Sequence, residues 1–243
     1  MNNEKQYTEG IRLQKRREGG RMENFWYHYK WPTIGIALLI LVLVVCIAQS
    51  CSQEKEDIVF MYAGPRFLLP ADTSQLVEVM SGTLPSDFDG NGEKRASIST
   101  YHIYSREQIE QLTMENPSNK IDTSQNSANM QAYQTYTKTG ESSIYLLDPW
   151  LYESLRDDPN QPLQKLADVL GDTPKGALED GYGVRLGDTD LYERYEVLHV
   201  LPADTVVCLS RPFAMGKSSK EKYYAREKET FAAMLGVSLK EAE

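Results

Sequence analysis

The sequence predicts an α/β domain, a largely parallel sheet with helices on both faces, preceded by one transmembrane helix. Three observations predict it. Short apolar runs alternate with segments of helical period after residue 58, which is the pattern of β-α-β units. A stretch without charge, Trp31 to Ser50, precedes them. The charge is also split, basic before that stretch and acidic after it.

The apolar stretch comes first in the chain. From Ile34 to Ala48 it carries no strongly polar group. At ~1.5 Å rise per residue, about twenty such residues reach ~30 Å, the thickness of a bilayer's hydrocarbon core. Residues 1–30 hold seven basic side chains against four acidic ones, a local charge of +3, so the net −9 of the whole chain leaves −12 after the stretch. Basic flanks stay on the cytoplasmic side, which predicts a cytoplasmic arm (1–30), a span (31–51), a linker (52–57) and an extracellular domain (58–243). Phe25, Trp26, Tyr27, Tyr29 and Trp31 would sit in the headgroup layer at the inner boundary, with Lys30 snorkelling beside them. Membrane lipid is therefore one expected partner. A cleaved secretory signal fits less well, because the arm is long and the run exceeds the ~7–15 apolar residues of such signals. Lipidation at Cys51 is the other alternative; Ala48-Gln49-Ser50-Cys51 has a small residue before the cysteine but no Leu three places back. With Cys46 in the span and Cys208 in a strand-like segment, the three cysteines form no disulfide framework.

Along the domain, Ile58–Tyr62 is a compact apolar run closed by Ala63-Gly64-Pro65, a buried strand. Asp72 to Met80 has helical period, with Asp72, Thr73 or Ser74 as N-cap. Ala96 to Tyr104 reads as a second strand, rich in β-branched and aromatic residues. Ser105-Arg106-Glu107-Gln108 is a capping box opening a helix to about Met114. Glu115 to Ser127 reads as a loop and Ala128 to Thr139 as a helix. Ser143–Leu147 is a third strand, and Asp148-Pro149 caps a helix to about Arg156. Leu163–Leu170 suggests a short helix, Gly183–Leu186 and Thr205–Leu209 two more strands, and Ser219–Leu235 a closing helix.

This order of segments resembles the first lobe of extracellular solute-binding proteins of ABC importers, from Ile58–Tyr62 through Ser143-Ile144-Tyr145-Leu146-Leu147-Asp148-Pro149-Trp150 to Gln161-Pro162-Leu163. The resemblance implies a single lobe, half of such a protein. It implies no ligand residues, because fewer than 200 residues cannot supply the second lobe that closes over a solute. The aromatic flank at Phe25-Trp26-Tyr27 and the Asp89-Gly90-Asn91-Gly92 turn are also similar to single-pass membrane proteins of Gram-positive bacteria.

Two sets of residues are candidates for binding. Asp87-Phe88-Asp89-Gly90-Asn91-Gly92 matches the opening of a calcium loop, so the side chains of Asp87, Asp89 and Asn91 and the carbonyl of Glu93 are candidate calcium ligands. The twelfth position is Ile98, where such a loop needs a carboxylate; a distant carboxylate that the sequence does not name could complete the shell. The simpler reading is an Asx/Asn-Gly turn leading into the second strand. The carboxyl ends of the first and third strands offer the other set, Gly64, Arg66, Asp148 and Trp150, because open parallel sheets bind ligands there. Each of these also has a local explanation: Asp148 as a cap, Gly64-Pro65 as a turn, Trp150 as packing.

No enzyme signature is present. His28, His102 and His199 are scattered, and there is no nucleophile elbow, zinc-type His pair or phosphate loop. A domain of charge −12 repels nucleic acid. The sequence-level expectation is a non-catalytic, membrane-tethered module that binds another envelope or membrane protein; the alternative is a receptor domain for a solute or calcium.

Overall fold

The computed structural model describes residues 27, 29–46, 56–116, 121–212 and 220–240. The expectations placed on Phe25, Trp26, Cys51 and most of the arm and linker lie outside these residues. The chain divides into two compact units, Met1–Glu54 and Lys55–Glu243.

In the first unit, helix α1 (Tyr29–Cys46) has a mean hydropathy of 2.0 and none of its residues is buried. Leu38, Leu39, Ile40 and Leu41, four consecutive residues that point about 100° apart around the helix, each expose more than half of their surface. A helix apolar all round has no polar face to turn to water. It is long and apolar enough to cross a membrane.

The second unit is built on a five-stranded sheet in the order β2-β1-β3-β5-β4. Its strands are β1 (Ile58–Gly64), β2 (Ala96–His102), β3 (Ile144–Leu147), β4 (Gly183–Arg185) and β5 (Val206–Leu209). All seven residues of β1 are buried, as befits a central strand covered on both faces. β1 pairs in parallel with β2 and β3. The sheet is mixed rather than parallel throughout, because β5 runs antiparallel to both β3 and β4. A parallel neighbour needs a crossover over the sheet. After β4 the chain instead turns back through two 3-10 turns, Leu186–Asp188 and Glu196–Val200, and helix α7 (Asp190–Arg194). Leu186 N–H to Thr205 C=O (2.8 Å) and Gly187 N–H to Ala203 C=O (2.8 Å) close that excursion as an antiparallel return.

Both faces are covered. On one, Ile58 and Phe60 meet Leu76 and Met80 of α2 (Pro70–Thr83) and Phe231 and Met234 of α8 (Glu221–Met234). On the other, Met61 and Ala63 meet Tyr133 of α4 (Thr123–Thr139) and Leu151 and Tyr152 of α5 (Pro149–Arg156). Each such fully buried apolar side chain contributes about 1.5–3 kcal/mol. Buried Glu227 of α8 accepts the Ser143 N–H at 2.7 Å, tying that helix to the entry of β3.

Several element ends differ from the sequence expectation. Helix α2 starts at Pro70, and Asp72 acts three residues inside, accepting the Leu69 N–H at 3.1 Å. β2 stops at His102, where Ile103 N–H turns to the Gly64 carbonyl. Helix α4 opens at Thr123, capped by Asp122, which accepts the N–H groups of Ser124 and Gln125. Helix α3 (Arg106–Glu115) has the expected Ser105/Gln108 capping box, and α6 is a single turn, Leu166–Val169.

Candidate functional site

The chain enters the sheet at Asp57, and that residue organises the predicted calcium loop. Asp57 is 1% exposed. Its Oδ1 accepts the N–H groups of Phe88 (2.9 Å) and Asp89 (3.0 Å), and its Oδ2 accepts that of Arg95 (3.1 Å). The loop then holds itself: Asp87 accepts from Gly90 N–H (2.8 Å) and Gly92 N–H (2.7 Å), Asp89 from Asn91 N–H (3.0 Å), and Asn91 from Glu93 N–H (2.8 Å). Gly90 and Gly92 take φ of 78° and 94°, a region glycine enters without strain. The bonds from Gly92 and Gly90 hold the Asp87 carboxyl below its usual range.

Carboxylate oxygens of Asp57, Asp87 and Asp89 lie within 4.8 Å of one another, close enough to share one cation. The predicted residues are therefore brought together in part. Asp87 and Asp89 converge, and the carboxylate of Asp57, from outside the loop, lies beside them. Asn91 is spent on the turn. The Glu93 carboxylate, which is not the carbonyl offered as a ligand, grips the Arg95 guanidinium at 2.6 Å. Nothing local in the sequence marks Asp57, since it is joined to the loop only by the pairing of β1 with β2.

At the carboxyl ends of the strands, Gly64 and Asp148 are neighbours: Asp148 N–H donates to the Ala63 carbonyl at 2.9 Å. A Cβ on Gly64 would lie 2.9 Å from the Tyr62 hydroxyl, which itself accepts the Arg66 N–H at 3.2 Å. Asp148 caps α5, accepting the Trp150 N–H at 3.2 Å. Its second oxygen accepts from the Gln108 side-chain amide of α3 at 3.1 Å. Burial raises the Asp148 carboxyl above its usual range, the nearby Asp204 charge adds to this, and the bonds from Gln108 and Trp150 oppose it. Trp150 packs with the Tyr133 and Leu151 cluster. Arg66 is exposed. At the carboxyl ends of β1 and β3 the groups of Tyr62, Arg66, Gln108 and Asp148 thus bond one another or nearby backbone, while the buried Trp150 Nε1 has no hydrogen-bond partner among the described residues.

Two hollows flank these strand ends, and none of Gly64, Arg66, Asp148 and Trp150 lines either. One, of about 370 Å³, lies between α5 and the start of β5, with Tyr152, Arg156, Asp180, Arg185 and Asp204 on its walls. Within it the Tyr152 hydroxyl donates to Asp180 at 2.7 Å, and Arg156 pairs with the same carboxylate at 3.3 Å. The other, of about 250 Å³, lies beyond β2 and is lined by His102, Tyr104, Gln125, Asn126 and Asn129. Asn126 spends both ends of its amide on the backbone of Tyr104.

Comparison with family models, curated proteins and solved structures finds no match to this chain.

Proposed function

We propose that the chain is a membrane-anchored, non-catalytic binding module, its N-terminal arm cytoplasmic and its α/β domain displayed outside, where it engages another envelope or membrane protein. The observation that carries this reading is α1, an 18-residue helix of mean hydropathy 2.0 with none of its residues buried, joined in sequence to a separate compact α/β unit. The basic arm supports the orientation. The lobe-like order of β1, β2 and β3 supports a binding role for the domain. Both carboxylate oxygens of Asp148 at the carboxyl end of β3 are engaged by Gln108 and the Trp150 N–H, which supports a protein partner over a small solute held there. A tether also raises the effective concentration of the domain for neighbours in the same bilayer. The test is to recover the tagged full-length chain from membranes washed with alkaline carbonate and identify what co-purifies in mild detergent. Retention in the washed membrane with a stoichiometric membrane or envelope protein is expected; release into the wash contradicts anchoring.

One observation favours a second reading, a calcium-binding domain: the convergence of Asp57, Asp87 and Asp89. A ligand bound only by the folded state raises its melting temperature. On this reading calcium raises the melting temperature of the chain over that in chelator, and Asp89→Asn abolishes the rise; equal melting temperatures with and without calcium contradict it.

A further inference from the structure

The sheet has one open edge among the described residues, and it carries none of the usual protection. β4, at the far side, is three residues long, and its outer edge is closed by the Ala177–Val184 bridge, with Arg185 N–H on the Gly176 carbonyl and Leu178 N–H on the Gly183 carbonyl. β2, at the other side, is seven residues long and pairs only with β1, in unbroken register from Ile58↔Ala96 to Gly64↔His102. Its sequence, Ala-Ser-Ile-Ser-Thr-Tyr-His, has no Lys, Glu, Pro, Gly or bulge. Proteins that stay apart blunt such an edge with those devices.

The direction of its backbone groups follows from the bonds at its two ends. Asp57 N–H bonds the Arg95 carbonyl and Ile103 N–H bonds the Gly64 carbonyl, so residues 95 and 103 face β1. Ala96 N–H bonds the Ser81 hydroxyl (2.9 Å), and the His102 carbonyl accepts from the Asn129 amide (2.8 Å), so residues 96 and 102 face outward. By strand alternation the N–H and C=O groups of Ile98 and Thr100 face outward too. The two ends are thus capped by side chains, at equal distances from Ser99, while the middle is open. Thr100 is exposed.

We propose that this edge pairs antiparallel with β2 of a second copy of the chain about a twofold axis at Ser99, joining two five-stranded sheets into one. Charge selects the occupant. The chain carries −9 overall, so most of its surface repels a second copy. β2 is uncharged, and so is the neighbouring helix α4 from Thr123 to Thr137, which lies against it through Tyr133 and Tyr136 on Tyr101. In the symmetric register Ile98 faces Thr100 of the mate and Ser97 faces Tyr101, so no like charges meet. The Ile98/Thr100 pairs exchange the hydrogen bonds, and Ser99 meets its own mate as a pair without them, with Cα atoms about 4.5 Å apart. That separation lies within the ~4.4–6.8 Å that a disulfide spans. The inference stands on the sheet alone and holds for either orientation in a membrane.

The test uses the full-length chain in phospholipid bilayers with Cys46 and Cys51 replaced by Ala and Ser99→Cys introduced. Cys208, fully buried, stays as a silent residue. Mild oxidation is expected to yield a disulfide dimer at least tenfold faster than Glu153→Cys, an exposed position on α5. Adding Thr100→Lys, which sets like charges across the axis, or Thr100→Pro, which removes an outward N–H, is expected to lower the yield at least fivefold with the far-ultraviolet circular dichroism of the folded chain unchanged. Cross-linking no faster than the control, insensitivity to both Thr100 variants, or capture of a different polypeptide by the Ser99→Cys chain in native membranes would each overturn the proposal.

Discussion

Gln108 joins two elements forty residues apart: its side-chain oxygen accepts the Ser105 N–H at 2.8 Å while its nitrogen donates to Asp148 at 3.1 Å. One side chain therefore completes the cap of α3 and bridges to the cap of α5. Removing it leaves the Ser105 N–H and one Asp148 oxygen without their partner. Gln108→Ala is expected to cost about 1–2 kcal/mol of unfolding free energy in urea, from a lost cap bond and a lost half-buried bond.

Asp148 makes stability depend on pH with a definite sign. Its pKa is raised in the folded chain. Between about 3.9, the unfolded value, and the higher folded value, the native state holds more protons than the unfolded state. This residue's contribution therefore falls as pH rises through that window and is level above it. Relative to Asp148→Asn, the natural chain is expected to gain stability on acidification from neutral pH toward pH 4, as read from urea midpoints at each pH. A constant difference between the two chains across that range would contradict the assignment.

Asp57 accepts three backbone N–H groups, so Asp57→Ala orphans all three. A loss of about 2–4 kcal/mol is expected, with hydrogen exchange accelerated at Phe88, Asp89 and Arg95. Asp57→Asn, which keeps one accepting oxygen, is expected to fall between the two.

Gly183 is required by close approach rather than by its backbone angles. An added Cβ would lie 2.5 Å from the Val206 side chain and 2.8 Å from the Tyr152 ring. Gly183→Ala is expected to destabilise by about 1–3 kcal/mol, as overpacking of a filled site does. Because the displaced ring carries the hydroxyl that holds Asp180, the Arg156–Asp180 pair is expected to loosen with it.

Legibility in the sequence followed the range of the interactions. The Ser105/Gln108 box and the Asp148 cap are set by residues within a turn of each other, and both stand as read. The succession of strands along the chain was legible, β1, β3 and β5 as short apolar runs between turn residues and β2 from its β-branched and aromatic residues. The direction of β5 was not, since it depends on how residues 186–205 fold back through turns too short to show a period. The start of α4 was hidden because Thr123 to Ser127 is polar on every side, so only the Asp122 cap marks it. In the candidate cation site, Asp87 and Asp89 announce themselves as a turn, whereas Asp57 reaches them only through strand pairing.

Placement of α1 in a bilayer, with the α/β domain outside, is the claim on which the proposed role depends. The most direct measurement replaces Cys46 and Cys51 by Ala and introduces one cysteine, either Asn3→Cys in the arm or Gln131→Cys on the exposed side of α4. Wall-stripped cells are then treated with a membrane-impermeant maleimide. Cys208 is fully buried and remains unlabelled in the folded chain. Labelling of the Gln131→Cys chain in intact cells, and of the Asn3→Cys chain only after permeabilisation, is the predicted result; the reverse pattern in intact cells, or recovery of the whole chain in the soluble fraction, would contradict it.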